Sequence, residues 1–308
     1  MGKIRFGSGG NADSFYKDDK NKSSLEACRW LFAKGLDAYE YECTRGVRIG
    51  KEFAVKLGRE AKEFDIALSV HAPYYINLAA ANPEKQQASI KYLIQSLEVA
   101  NWMGATKVVF HPGSGNPVEE GDSREQALER AKKVLRLAVD EGKRLGLLEQ
   151  VYLSPETMGK ANQLGNLAEV LALCKYCEGF VYPTVDWGHL HALGNGCLNT
   201  EDDFMKVFET IEDVLGVEAC QELHCHFSPI EYTIGGEMKH HTLAEKVYGP
   251  DFSLLAKVIL RKNYTPTIIC ESAGTQAEDA VSFKQIYKEI KKELRDRLGR
   301  IDYATNSN

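Results

Sequence analysis

The feature that most constrains this chain is an alternation of short apolar runs with longer amphipathic stretches. Such runs are typical of buried parallel strands, and the longer stretches have the period of helices that cover a sheet. The predicted strands are Ile4–Gly7, Ala38–Glu42, Ala67–His71, Lys107–His111, Gln150–Glu156, Phe180–Asp186, Gln221–His226 and Pro266–Glu271. The predicted helices are Ser24–Lys34, Gly50–Glu63, Pro83–Met103, Ser123–Leu145, Leu164–Cys177, Glu201–Leu215, Asp251–Arg261 and Gln276–Leu298. Eight strand–helix units predict an α/β fold of the (β/α)8 TIM-barrel type, with a doubly wound open sheet as the alternative, because strand order cannot be read from one sequence.

The length of 308 residues suits one such barrel. We expect a single domain over residues 1–302, followed by a polar tail at Tyr303–Asn308. No stretch approaches the ~18–20 apolar residues of a membrane span, and the first ten residues have no signal-peptide pattern. The eight scattered cysteines lack the dense spacing of a secreted disulfide framework and are interpreted as reduced thiols. These features predict a cytoplasmic protein without a membrane partner, and nothing in the sequence implies a protein partner.

The charge balance limits how the chain can bind nucleic acid. Lys and Arg number 38 against 44 Asp and Glu, for a net charge of −6. This argues against a protein held to nucleic acid by bulk positive charge. It leaves open a locally basic groove, or metal ions that carry positive charge at a site.

Histidines and carboxylates recur at the carboxyl ends of the predicted strands. They are His71, His111, Glu156, Asp186 with His189 three residues later, His224 and His226, and Glu271, while His240 lies in the long loop after the seventh strand. In a barrel these ends converge on the face where active sites are built. Crowded charges would repel one another unless metal ions were bound among them, and imidazole with carboxylate suits Zn, Mn or Fe(II). The pattern predicts a metal site at the C-terminal face of the strands, with more than one ion.

Five motifs in order resemble the endonuclease IV family of apurinic/apyrimidinic endonucleases, within the xylose isomerase-like barrel superfamily. The resemblance covers the third to the eighth predicted strand and is weaker in the first 65 residues. The matching segments are His71-Ala72-Pro73-Tyr74-Tyr75-Ile76-Asn77-Leu78, His111-Pro112-Gly113-Ser114, Glu156-Thr157 with Gly159 and Leu164-Gly165, Asp186-Trp187-Gly188-His189, and Ile269-Cys270-Glu271-Ser272.

This resemblance implies a barrel with two to three zinc ions, Mn being a possible substitute. His71, His111 and Glu156 would hold the first ion. Glu156 would bridge to a second ion, completed by Asp186, a histidine of the seventh strand and Glu271, and would be the catalytic ligand. His189 would bind the third ion with two ligands from the loop after the seventh strand.

That loop departs from the family pattern. The family has H-L-N-D followed thirteen residues later by D-R-H-H, and the interval from His224 to Glu237 is also thirteen residues. Glu237 could therefore replace the aspartate, and His240 could supply the imidazole after a one-residue insertion. His224 and His226 point to the same face of their strand, so either can be the second-ion ligand, and His224 is favoured.

The resemblance also implies a reaction, namely metal-assisted hydrolysis of the DNA phosphodiester 5′ to an abasic site. Tyr74, which matches the family tyrosine, would fill the gap left by the missing base. Apart from the resemblance, Arg45 in the loop after the second strand could contact a phosphate backbone from the same face. The alternative is a sugar isomerase or epimerase of the same superfamily, because Glu156, Asp186, His224 and Glu271 also resemble its Glu-Asp-His-Glu metal quartet. His71, His111 and His189 favour the nuclease, since a one-metal quartet does not require them.

Overall fold

Eight parallel strands form the centre of the molecule. The computed structural model describes residues 2–113 and 122–305, with side chains described as far as residue 297. The barrel strands are β1 (Arg5–Gly9), β2 (Ala38–Glu42), β3 (Ala67–His71), β4 (Lys107–Phe110), β5 (Tyr152–Pro155), β6 (Thr184–Asp186) and β7 (His224–Phe227), with β10 (Thr267–Cys270) as the eighth. Between β7 and β10 lies an antiparallel hairpin of β8 (Ile230–Thr233) and β9 (Gly236–His240).

The sheet closes into a barrel. Its strand order is β5-β4-β3-β2-β1-β10-β7-β6, and every neighbouring pair is parallel. Bridges from Leu153 to Val181 and from Glu156 to Thr184 join β5 to the segment that contains β6. The N–H of Thr157 also donates to the carbonyl oxygen of Thr184 at 3.0 Å. The predicted (β/α)8 TIM barrel is therefore confirmed, and the open-sheet alternative is excluded.

Helices surround the barrel. They are α1 (Asp13–Lys17), α2 (Ala27–Ala33), α3 (Lys51–Glu63), α4 (Pro83–Met103), α5 (Arg124–Arg144), α6 (Leu167–Tyr176), α7 (Trp187–Leu193), α8 (Glu201–Leu215), α9 (Glu218–Gln221), α10 (Phe252–Lys262) and α11 (Gln276–Thr305), with a 3-10 turn at Ser24–Glu26. Two predicted helix starts are confirmed: α4 begins at Pro83 under the Asn82 cap, and α8 begins after the Thr200 capping box. Within the described ranges, no helix has both the length and the apolar character needed to cross a membrane.

The predicted elements differ from the observed ones at several points: α1, α7 and α9 were not predicted, and β6 begins at Thr184 rather than at residue 180. The region after β7, predicted to be a long loop, contains the β8–β9 hairpin. Its turn is Ile234-Gly235, and Gly236 of the predicted Gly235-Gly236 turn begins β9. β7 itself begins at His224 rather than at residue 221. The last helix continues to Thr305, past the start of the predicted tail, while residues 306–308 and Ser114 of the His-Pro-Gly-Ser motif lie outside the described residues.

Four buried aromatic rings join the outer helices to the barrel. Phe252 of α10 lies 4.6 Å from Phe283 of α11, 5.1 Å from Phe227 of β7 and 6.1 Å from Phe6 of β1, measured between ring centroids. All four side chains are at most 1% exposed. They fix the position of both helices against the two strands.

Replacing Phe252 by Ala is expected to lower the free energy of unfolding by about 3–5 kcal/mol, because it leaves a cavity among three buried rings. Urea unfolding followed by circular dichroism measures this change. Phe32→Ala, at a side chain that is 54% exposed, is the control and should cost far less. A loss below about 1 kcal/mol for Phe252→Ala would show that these rings do not hold the helices.

Candidate metal centre

The predicted ligands lie at the carboxyl ends of the barrel strands, on one face. His71 ends β3, Asp186 ends β6, and Glu156 directly follows β5. Glu237 and His240 are on β9, which the hairpin folds back toward the same face. Nine of the ten predicted positions form three adjoining clusters, and the tenth, His224, lies outside these three.

The first cluster contains His71, His111 and Glu156. Nε2 of each histidine lies 3.2 Å from Oε2 of Glu156, and the two rings meet edge to face with centroids 5.0 Å apart. Nδ1 of His71 donates to the carbonyl oxygen of Ala72 at 2.9 Å. A ring held in this way presents the Nε2 lone pair, which is the arrangement that metal-binding histidines use.

The second cluster contains Glu156, Asp186, His226 and Glu271, whose ligand atoms lie within 4.8 Å of one another. Nδ1 of His226 lies 3.2 Å from Oε1 of Glu156 and 3.3 Å from Oε1 of Glu271. Glu156 thus directs one oxygen to each of the first two clusters. Oδ2 of Asp186 is buried and has no hydrogen-bond partner among the described residues, which is costly for a carboxylate oxygen unless a cation binds it. This orphaned atom and the mixed N/O donor set fit a divalent metal ion.

The third cluster contains His189, Glu237 and His240. Nε2 of His189 lies 3.5 Å from one oxygen of Glu237, and Nε2 of His240 lies 3.6 Å from the other. The other ring nitrogens form hydrogen bonds. Nδ1 of His189 donates to the carbonyl oxygen of Thr157 at 2.9 Å, and Nδ1 of His240 is hydrogen-bonded to Oγ of Ser228 at 2.6 Å. The substitution of Glu237 for the family aspartate and the choice of His240 are thus compatible with one three-residue cluster.

The glycine of the Glu-Thr-x-Gly motif has a steric role in this cluster. A Cβ atom on Gly159 would lie 2.8 Å from Cβ of Glu237 and 3.0 Å from Cδ2 of His189. The N–H of Glu237 also donates to the carbonyl oxygen of Gly159 at 2.9 Å. Only glycine lets the hairpin approach β5 closely enough to bring Glu237 to His189.

His224 and His226 lie at different depths in the barrel, and the choice between them as ligand stays a prediction. In the register of β6 and β7, His226 pairs with Asp186, whereas His224 pairs with Thr184 one layer deeper in the barrel. His226 therefore lies level with the second cluster, and His224 instead contacts Glu40. Both histidines face the barrel interior as the alternation predicts, but they differ in depth along it.

Buried carboxylates and imidazoles control each other's protonation. Burial alone would raise the pKa of Glu156, but imidazoles, chiefly those of His226 and His111, hold this pKa well below its ordinary value. Burial alone would lower the pKa of His71, but Glu42 and Glu156 raise it to about 10. Without metal, the protonated form of His71 is thus favoured beside these carboxylates, and a metal ion would have to displace its proton.

The two predicted substrate contacts lie on neighbouring loops. Tyr74 is 41% exposed, and its ring centroid lies 4.5 Å from that of Tyr75. The N–H of Tyr74 donates to the carbonyl oxygen of Thr44 at 3.4 Å, which brings the loop after β3 against the loop after β2. Arg45 directly follows Thr44 and is exposed on the loop after β2. Both side chains are thus available to a ligand at the mouth of the barrel, and their binding role stays a prediction.

Two glutamates of β2 belong to the site although no motif identifies them. Glu42 pairs in register with His71, and burial raises the pKa of Glu42 to about 7. Glu40 is fully buried one layer below, beside His224 and His226. The available signal is the alternation of charged and aromatic residues within a strand that is otherwise buried, since an inward-facing charge there needs a partner.

Comparison with known sequences identifies relatives. A family model described as the xylose isomerase-like TIM barrel matches residues 28–295. The chain is 37% identical over 257 residues to an uncharacterized protein of Methanocaldococcus jannaschii, covering 83% of this chain and 88% of that protein. It is 32% identical over 188 residues to a protein of Mycoplasma pneumoniae named probable endonuclease 4, covering 59% of this chain and 60% of that protein.

Two solved structures illustrate the range of the fold. Endonuclease IV from Thermus thermophilus matches with a TM-score of 0.64 and 22% identity, covering 94% of this chain and 99% of that one. A D-tagatose 3-epimerase-like protein matches with a TM-score of 0.68 and 18% identity, covering 96% of this chain and all of that one. These identities are low, so the two structures establish the shared fold alone. The family match over most of the length, on a barrel with ligand-type side chains at its C-terminal face, means that the chain belongs to the xylose isomerase-like TIM barrel family.

Proposed function

We propose that this protein is a metal-dependent DNA repair endonuclease that hydrolyses the phosphodiester 5′ to abasic sites. One observation carries the proposal: three ligand clusters adjoin one another, and Glu156 is shared by two of them. A single metal ion would use only one cluster. The relatives named endonuclease 4 support the same reading.

The proposed ligands are grouped by cluster. They are His71, His111 and Glu156 for the first ion, Glu156, Asp186, His226 and Glu271 for the second, and His189, Glu237 and His240 for the third. Zinc suits these nitrogen and oxygen donors, and Mn suits a similar set. Metal ions in such a group supply Lewis-acid activation of water and neutralise charge on the phosphate. Glu156 would be a ligand in both of the first two clusters, while the backbone carbonyls of Ala72 and Thr157 hold the tautomers of His71 and His189.

The negative charge of this face means that DNA could approach it only with metal ions bound. The chain has a net charge of −6, and the clusters concentrate carboxylates at the mouth of the barrel. DNA phosphates would be repelled unless cations offset these carboxylates. Arg45 would contact the DNA backbone, and Tyr74 would stack in the gap left by the missing base, both from the exposed rim.

A second candidate is a sugar isomerase or epimerase. The quartet of Glu156, Asp186, His226 and Glu271 is one of the clusters, and it is sufficient for a one-metal enzyme of that class. The two candidates differ in their need for the first and third clusters.

The deciding experiment is incision of a duplex oligonucleotide with one abasic-site analogue, run beside epimerisation of a ketose panel. We expect the metal-replete protein to cut immediately 5′ of the analogue, and His111→Asn to lose this activity because the first cluster is broken. If the protein instead converts a ketose and His111→Asn retains that conversion, the quartet alone is the active site. Absence of incision with both zinc and manganese would refute the nuclease.

Replacing Glu237 by Ala is expected to lower the metal content by one ion per chain, because Glu237 is the carboxylate between His189 and His240. Elemental analysis of the purified, metal-loaded protein measures this content. Lys239→Ala changes an exposed side chain of the same strand and should leave the content unchanged. An unchanged content in Glu237→Ala would remove this residue from the site.

A further inference from the structure

A second layer of buried polar side chains lies directly beneath the candidate ligands. Glu40 and Ser69 pair in register between β2 and β3, one layer below Glu42 and His71. On the far side of the barrel, His224 lies one layer below His226. Barrel interiors are ordinarily filled by bulky apolar side chains, so a buried carboxylate at this depth requires a specific explanation.

Glu40 is held by two hydrogen bonds and lies close to His226. Its Oε2 accepts hydrogen bonds from Oγ of Ser69 at 2.6 Å and from Nε2 of His224 at 2.8 Å. Its Oε1 lies 2.8 Å from Nε2 of His226 without hydrogen-bond geometry, and both atoms are buried with no hydrogen-bond partner among the described residues. The carboxylate and both imidazoles are at most 1% exposed, so their geometry is set by the protein alone.

His226 thus lies between this carboxylate and the second cluster. Nε2 of His226 faces Glu40, while Nδ1 lies 3.2 Å from Glu156 and 3.3 Å from Glu271. An imidazole that binds a metal through one nitrogen carries its proton on the other. An ionised carboxylate can only accept a hydrogen bond, so the bond that would satisfy both buried atoms places the proton on Nε2 of His226 and leaves Nδ1 free for the metal.

We propose that Glu40 is a positioning residue, which orients His226 and fixes its tautomer for metal binding at the Glu156–Asp186–His226–Glu271 cluster. Ser69 and His224 hold Glu40 in turn. The inference rests on the proposed metal centre but not on DNA cleavage, because metal affinity is measured without substrate.

The test is cobalt(II) titration of metal-free protein, followed by the visible absorption of the bound ion. Glu40→Gln is expected to weaken binding at this cluster by about 10–100-fold, the usual loss when the outer partner of a metal-binding histidine is removed. Asp37→Asn is the matched control. It also removes a buried carboxylate, but one that precedes β2 at the opposite end of the barrel and pairs with Lys284. Its cobalt affinity and spectrum should equal those of the wild type.

Three results would each contradict a different proposal: the positioning role of Glu40, the metal centre or the nuclease. Unchanged affinity in folded Glu40→Gln, or equal losses in both variants, would overturn the positioning role. Failure of the wild type to bind cobalt would refute the metal centre itself. Cobalt binding without DNA incision would refute only the proposed nuclease.

If Glu40→Gln does not fold, the tautomer of His226 is measured in the wild-type protein instead. In zinc-loaded protein with 15N-labelled histidine, the His226 ring is expected to show its proton on Nε2 and a metal-bound Nδ1. The resonance is assigned by its loss in His226→Gln. A proton on Nδ1 would overturn the proposal.

Discussion

Glu156→Gln is expected to lose DNA incision and metal binding together. The neutral amide cannot replace a carboxylate that directs one oxygen to each of two clusters, 3.2 Å from Nε2 of His111 and 3.2 Å from Nδ1 of His226. Since metal-ion catalysis contributes several kcal/mol, and each 1.4 kcal/mol is tenfold in rate, activity should fall by about a thousandfold or more. Single-turnover incision and elemental analysis of the same preparation measure both effects.

Asp37→Asn again serves as the control, because it neutralises a buried carboxylate distant from the ligands and should keep both properties. Full metal content in Glu156→Gln would show that Glu156 is not a ligand. Retained incision would contradict its role in the reaction even if one ion were lost.

Metal removal is expected to lower the thermal midpoint by on the order of 10 °C. One ion at a free concentration 1,000 times its dissociation constant stabilises the folded chain by about 4 kcal/mol, and each kcal/mol corresponds to roughly 2–4 °C at this size. Scanning calorimetry of chelator-treated and zinc-reloaded protein measures the difference. Equal midpoints would show that no ion binds the folded chain tightly.

The difference in thermal midpoint between zinc-reloaded and metal-free protein should increase with rising pH. In the metal-free protein the pKa of His71 is about 10, above the ordinary 6.5, because Glu42 and Glu156 outweigh the effect of burial. The stability that protonated His71 contributes is present in full below 6.5 and is lost as the pH rises toward 10. Metal must displace that proton, so binding tightens over the same range. We expect a larger midpoint difference at about pH 8 than at about pH 6, and the reverse order would contradict the proton displacement.

The barrel was predictable from the sequence because its strands are buried on both faces and read as short apolar runs. Ala38–Glu42 and Ala67–His71 have the predicted bounds. The β8–β9 hairpin was not predictable, since its strands are short and partly exposed and one of them is held by the contact of Glu237 with Gly159.

The residue types of the site could be predicted from the residues at the strand ends, but the depth at which each side chain lies in the barrel could not. Residues two apart on a strand share a face, so alternation cannot rank His224 against His226. Only the pairing of β7 with β6 places His226 level with Asp186. The signal for Glu40 was limited to its charge in the alternating strand β2, because its partners His224 and Ser69 are distant in sequence and meet it only when the barrel closes.

The most direct test of the central claim is a crystal structure of zinc-reloaded protein with anomalous diffraction recorded on both sides of the zinc absorption edge. We predict anomalous peaks between His71, His111 and Glu156 and within the Glu156–Asp186–His226–Glu271 cluster, with a third between His189, Glu237 and His240. Peaks confined to the quartet would favour the one-metal sugar enzyme. Direct imidazole–carboxylate pairs with no anomalous peak at any cluster would contradict the metal centre.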